Sequence, residues 1–155
     1  MKQRLLALVY KTTYPLARVY WFFRRPTTQG VRCVIFYNKQ VLLVTHTYGS
    51  YMRTAVGGGI EKNETPREAV IRETSEEVGL TLSNITPVTT IKHTAEYKND
   101  TIHVFVATAA TDALLIDRSE IKEAGWFDVH KLPDDISPLG AIFINQAIIQ
   151  KAKKM

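Results

Sequence analysis

A single cysteine, Cys33, in a chain of 155 residues leaves no partner for an internal disulfide and excludes a zinc ribbon. It sits in the apolar run Val31-Arg32-Cys33-Val34-Ile35-Phe36, which reads as core, and that usage fits a reducing compartment, so a cytoplasmic location is expected. Histidine is also sparse. His46, His93, His103 and His130 lack metal-ligand spacing, and His93 and His103 are expected to face each other across a hairpin as a structural pair. No uncharged apolar run reaches the ~18 residues of a membrane-spanning helix, because Lys11, Pro15 and Arg18 divide the N-terminal stretch. Leu5 to Tyr10 is too short for a signal-peptide core, and no small-x-small cleavage site follows it. Internal repeats and low-complexity segments are absent. What the chain does have is length enough for a core, since folding at this size removes roughly 70% of the unfolded surface.

Acidic residues are missing from positions 1–25, which hold Lys2, Arg4, Lys11, Arg18, Arg24 and Arg25, so the formal net charge of +5 comes from the ends of the chain. With Lys151, Lys153 and Lys154 also set aside, residues 26–150 carry 11 basic against 15 acidic residues. A body of that sign does not attract a phosphate backbone, which argues against specific nucleic-acid binding. Positions 1–25 form a basic arm. Leu5, Leu8, Val9, Leu16, Val19, Tyr20 and Phe23 follow helical spacing, with Pro15 as a break or kink. An amphipathic helix docked on the domain or on a second subunit of a homodimer is expected. The other reading is peripheral membrane contact, through Tyr20, Trp21, Phe22 and Phe23 beside Arg24-Arg25.

Residues 26–155 form the second unit, opened by the breaker-rich Pro26-Thr27-Thr28-Gln29-Gly30, which reads as a linker. Val31 to Tyr37 and Gln40 to Thr47 read as two strands of a hairpin turning at Asn38-Lys39. A loop from Gly49 ends in Gly57-Gly58-Gly59. Thr65-Pro66-Arg67-Glu68 then opens a helix with a capping box and a proline at its first position, and Gly79 stops it. Val88 to His93 and Thr101 to Ala107 read as strands around a turn at Lys98-Asn99-Asp100, with another strand over Gly125 to Val129. Ser137-Pro138 opens a last apolar helix with its lysines at the C-terminal end.

The helix after the glycines carries Glu73, Glu76 and Glu77, which point to roughly one side. Like charges at these spacings repel by a few tenths of a kcal/mol per pair unless a cation lies among them, approximately as measured in helices. A solvated acidic face is the ordinary reading of such a run, but three glycines next to it let backbone groups approach an ion closely. Hard carboxylate and carbonyl oxygens suit Mg²⁺ or Mn²⁺.

Gly58, Glu64, Arg72, Glu73, Glu76, Glu77, Gly79 and Leu80 resemble the Nudix box, G-x5-E-x7-R-E-U-x-E-E-x-G-U, where U is a bulky aliphatic residue. Thr74 departs from the pattern at an aliphatic position, and Val56 stands where many members have proline. The resemblance continues into Glu123-Ala124-Gly125-Trp126-Phe127-Asp128 and Leu132-Pro133, and it covers about residues 30–150. It implies an α/β fold, a Nudix-type α/β/α sandwich with a mixed central sheet, to which the amphipathic arm is an addition. It also implies hydrolysis of a nucleoside diphosphate linked to another moiety, with Mg²⁺ or Mn²⁺ held by Glu73, Glu76, Glu77 and the carbonyl of Gly57 or Gly58. Glu73, Glu76 and Arg72 form the implied catalytic group, with Glu73 or Glu76 acting on the water and Glu96, Glu120 and Glu123 as alternatives outside the box. Glu64 with Arg72 is implied to tie the loop to the helix, and Gly79 is structural. Arg53, Arg32 and Tyr51 are the candidate substrate contacts, joined by Arg118 and Tyr48. ADP-ribose-like dinucleotides, nucleoside triphosphates and diadenosine polyphosphates are the candidate substrates, and a non-catalytic nucleotide-binding module is the competing function.

Overall fold

Two apolar runs joined by Asn38-Lys39 build a hairpin, β1 (Thr27–Tyr37) and β2 (Gln40–His46), with Asn38 in the left-handed conformation the tight turn requires. The computed structural model describes residues 19–20, 22–23, 27–95 and 98–153. β3 (Leu82–Ala95), β4 (Lys98–Ala109) and β5 (Ile121–Asp128) complete a five-stranded sheet in the order β3-β4-β1-β2-β5. β1 runs parallel to β4 and every other neighbour is antiparallel, so the sheet is mixed. Helix α1 (Pro66–Val78) covers one face and α2 (Pro138–Ala152) the other. This is the expected α/β/α sandwich.

Period-two alternation divides the core into two layers. Val31, Cys33, Ile35, Leu42 and Val44 pack with Ala69, Val70 and Val78 of α1, while Val34, Phe36, Val41 and Leu43 pack with Phe143, Ile144 and Ala147 of α2. Burial of Cys33 raises its thiol pKa well above the ordinary range, so it stays protonated, as the core reading expects.

Several local expectations change. Thr27 to Gly30 are strand rather than linker, because they pair with Asn99 to Ile102 of β4. That same pairing places Lys98-Asn99-Asp100 inside β4 instead of in a turn. β3 starts earlier than expected, at Leu82, and β5 at Ile121. His103 lies opposite Thr90 and His93 opposite Asp100, so the two histidines are not a cross-strand pair. His103 instead contacts the Thr90 hydroxyl at 3.3 Å. Of the arm, Val19, Tyr20, Phe22 and Phe23 are helical and exposed. The remaining arm positions and the candidate base Glu96 lie outside the described residues. No helix among the described residues is long and apolar enough to cross a membrane.

Candidate active site

β1 and β2 pair directly only next to their turn, at Phe36 with Val41 and Tyr37 with Gln40. Farther along they part, and residues 54–60 fill the gap. Val44 exchanges backbone hydrogen bonds with Thr54, the Cys33 amide donates to Val56, and the Val31 amide donates to the Gly58 carbonyl at 2.9 Å. This wedge carries the glycines to the end of the sheet. Gly57 has φ +135°, and a Cβ there would lie 2.3 Å from the Val31 carbonyl oxygen, so no other residue fits without moving β1. A Cβ on Gly58 would sit 2.6 Å from Glu73 Oε1, so the loop backbone lies directly on that carboxylate.

α1 begins as its sequence requires. The Thr65 hydroxyl accepts from the Glu68 amide, the Glu68 carboxylate accepts from the Thr65 amide at 2.8 Å, and Gly79 closes the helix in the left-handed conformation. Its inner face buries Glu73, Thr74 and Glu77 beside Ala69, Val70 and Val78. Thr74, at the departure from the box pattern, is fully buried with its hydroxyl unpaired. Val56, the other departure, packs into the core.

Glu77 is clamped from two sides: Oε2 accepts from the Gly57 amide at 3.0 Å and Oε1 contacts His46 Nε2 at 3.1 Å. Arg72 gathers the remaining carboxylates. Its Nε and Nη2 make a two-pronged bond to Glu64 at 2.8 and 2.9 Å, and Nη2 also reaches the Gly59 carbonyl at 2.9 Å. Its Nη1 lies 2.9 Å from Glu73 Oε1 and 3.1 Å from Glu76 Oε2. The Glu64–Arg72 tie between loop and helix is therefore present. Arg72 holds the Glu64 carboxyl below the usual carboxylate range, and the Arg72 pKa is raised in return.

Burial pushes the Glu73 pKa up, opposed by its bond to Arg72 and reinforced by the like charge of Glu77. Glu120, outside the box, responds in the same direction: burial first, then the charges of Glu77 and Asp117, raise its carboxyl, and His46 opposes them. Glu120 is thus brought into the field of the cluster. Glu123 is not; it is exposed and faces Arg53 at 3.5 Å. Arg53 also pairs with Asp135 and stacks over the Phe127 ring at 5.2 Å, on the rim of a cavity of about 230 Å³ that Arg118 and Gly125 also line. Tyr51 is exposed with the Lys122 ammonium 5.3 Å from its ring centre, and the Tyr48 ring lies 5.6 Å from that of His46. Arg32 stands on β1 beside the loop, and its Nη1 is buried with no partner.

His46 is a site residue that metal-ligand spacing does not reveal. The signal was alternation: Leu42, Val44 and His46 fall on the α1 face of β2, which puts the imidazole under the helix.

The donor set suits a hard divalent cation: carboxylate oxygens on α1 with loop carbonyls beside them. Among the described residues, no three acidic, histidine or cysteine groups converge at metal-binding distance. Glu73 and Glu76 converge instead on Arg72 Nη1.

The NUDIX domain family matches residues 26–146. A curated relative, the NAD-capped RNA hydrolase NudC of Vibrio atlanticus, is 34% identical over 106 residues, which is 68% of this chain and 38% of that protein. The chain thus aligns with well under half the length of that relative. Among solved structures, a hydrolase of the NUDIX family from Clostridium perfringens superposes with TM-score 0.70 at 26% identity, covering 80% of this chain and 97% of that one. The NUDIX domain of Shewanella oneidensis NrtR, solved with ADP ribose, superposes with TM-score 0.69 at 20% identity, covering 81% and 88% of the two chains.

Proposed function

The chain belongs to the NUDIX domain family, and on that premise we propose that it is a hydrolase, dependent on Mg²⁺ or Mn²⁺, that splits the diphosphate linkage of a nucleoside diphosphate joined to another group. The observation that carries this reading is the convergence of Glu73 and Glu76 on one positive charge beside the Gly58 backbone, with Glu77 fixed next to them. Without cations such a face repels a diphosphate, so binding and chemistry both need them. Glu73, Glu76, Glu77 and a Gly57 or Gly58 carbonyl would hold the divalent cations, whose charge would offset that of the phosphate oxygens and lower the pKa of the attacking water.

The chain's own residues supply the rest. Gly57 and His46 hold Glu77 in one orientation, so its carboxylate does not reorganise when substrate arrives. Arg72, anchored by Glu64, keeps the loop against the helix. A carboxylate takes the proton of the attacking water as its oxygen bonds to phosphorus, the P–O–P bond breaks, and the bridging oxygen leaves with the other phosphate. Glu73 and Glu76 are the box candidates for that proton. Glu120, raised by burial and by Glu77, is the candidate from outside the box.

NAD, ADP-ribose, nucleoside triphosphates and diadenosine polyphosphates form the substrate panel. The dinucleotides come first, because the curated relative is named for NAD-capped RNA. Incubation of the full chain with each compound and Mg²⁺ or Mn²⁺, followed by chromatography, should show cleavage that EDTA abolishes. An intact panel, or cleavage that persists in EDTA, would overturn the reading. Stoichiometric zinc in active protein would contradict the oxygen-donor site.

A further inference from the structure

β3 is an edge strand, and its pairing with β4 is interrupted near its start. Ser83 faces Thr108 and Thr86 faces Val106, so Asn84 and Ile85 together oppose Ala107. This is a bulge, and Asn84 takes it up in the left-handed conformation at φ 53°. Helix α1 holds the bulge in place, because Arg67 Nη1 donates to the Ile85 carbonyl at 2.7 Å. Beside it, the Ser83 hydroxyl donates to the Thr108 carbonyl at 3.1 Å.

A cavity of about 560 Å³ lies against the bulge and reaches from the first turn of α1 to the last turn of α2. That volume is in the range of small-ligand sites and is far more than a free phosphate needs. Arg67 and Lys151 are its charged lining residues, and no acidic residue lines it, although acidic residues outnumber basic ones over positions 26–150. Neither cation has a carboxylate partner among the described residues. Arg67 uses one donor on the Ile85 carbonyl, and the Lys151 ammonium lies 4.3 Å from the centre of the Phe36 ring. Both are thus placed by neutral groups, which leaves their charge for a ligand. The amides of Asn84 and Gln150 add donors and acceptors, and Val106 and Ala107 add apolar surface.

This cavity is remote from the carboxylates. Arg67 precedes Glu76 by nine residues of α1, about 14 Å along the helix axis. Phe36 lies five residues beyond Val31 on β1, about 16 Å along the strand. We propose that the cavity is a second, non-catalytic nucleotide site, with the phosphate on Arg67 and Lys151 and the base edge on the amides of Asn84 and Gln150. The guanidinium suits two phosphate oxygens at once, and the ammonium supplies a point charge beside it. Nothing in this proposal depends on the hydrolase reading.

The test is titration of the nitrogen-labelled full chain with AMP in EDTA, following backbone amides by proton–nitrogen correlation spectra. AMP has no anhydride bond to cleave, and without cations the α1 carboxylates repel it. The amides of Asn84, Ile85, Thr108 and Lys151 should shift, while those of Gly57 and Gly58 stay in place. Arg67→Gln combined with Lys151→Gln should weaken AMP at least tenfold with the spectrum still that of a folded chain. Should the double variant unfold, Lys151→Gln alone, which removes an exposed ammonium, should still weaken AMP severalfold. Adenosine and inorganic phosphate should each bind more weakly than AMP. Shifts centred on Gly57 and Gly58, no shifts at millimolar AMP, or equal affinity in wild type and folded variants would overturn the site. Inorganic phosphate binding as tightly as AMP would overturn the nucleotide assignment. Cleavage of the substrate panel without AMP binding here removes this site and leaves the hydrolase reading, whereas AMP binding here in a chain that cleaves nothing does the reverse.

Discussion

Helices α1 and α2 start with the same chemistry and bury different contents. Each has a hydroxyl cap followed by proline, Thr65-Pro66 for α1 and Ser137-Pro138 for α2. α2 buries Phe143, Ile144 and Ala147 against the sheet, whereas α1 buries Glu73, Thr74 and Glu77 among its apolar contacts. Both faces of the sheet carry an apolar layer, and the α1 face places buried carboxylates within its own. The difference predicts that damage to the two helices separates into loss of folding and loss of chemistry.

The largest expected effect is on the α2 side. Phe143→Ala should cost about 3–5 kcal/mol in denaturant unfolding, through lost burial and the cavity left behind, while activity per folded molecule is retained. Next, Glu76→Gln and Glu77→Gln should each lower turnover at least ~100-fold, about 2.7 kcal/mol of barrier, with circular dichroism unchanged. If either glutamine variant unfolds while Phe143→Ala merely slows turnover, the division between the faces is wrong. Smaller and equal on both sides, Thr65→Ala and Ser137→Ala should each cost about 1 kcal/mol, since the caps do the same work.

The finest contrast lies in pH. Glu73 is raised in the folded state by burial and by Glu77, so the native protein binds its proton more tightly than the unfolded chain does. Stability without metal should therefore fall as pH rises from the unfolded value near 4.5 through the higher folded value. Melting curves in EDTA should show Glu73→Gln above wild type at pH 7, with the gap closing as pH falls below that window. A gap that widens on acidification would reverse the sign and count against the crowding of carboxylates on α1.

The helix of the site was legible because its signals are local. The capping box, the proline, the left-handed glycine and the three-and-four spacing of the glutamates each depend on residues within one or two turns. The misplaced turn at Lys98-Asn99-Asp100 has the converse cause. Asn and Asp favour turns locally, but Asn99 and Asp100 here pair with Thr27 and Thr28, more than 70 residues away in sequence, and tertiary pairing overrides the preference. Alternation puts His46 on the α1 face, but its contact with Glu77 joins residues 31 apart and depends on how β1 and β2 part around the glycine wedge.

On the proposed function, the carboxylates of α1 bind a divalent cation. Titration of the full chain with Mn²⁺, following the free-ion signal by electron paramagnetic resonance, tests it without any substrate. Wild type should deplete the free signal, whereas Glu77→Gln and Glu76→Gln, still folded, should leave most of the Mn²⁺ free. Equal depletion by wild type and both variants would contradict it.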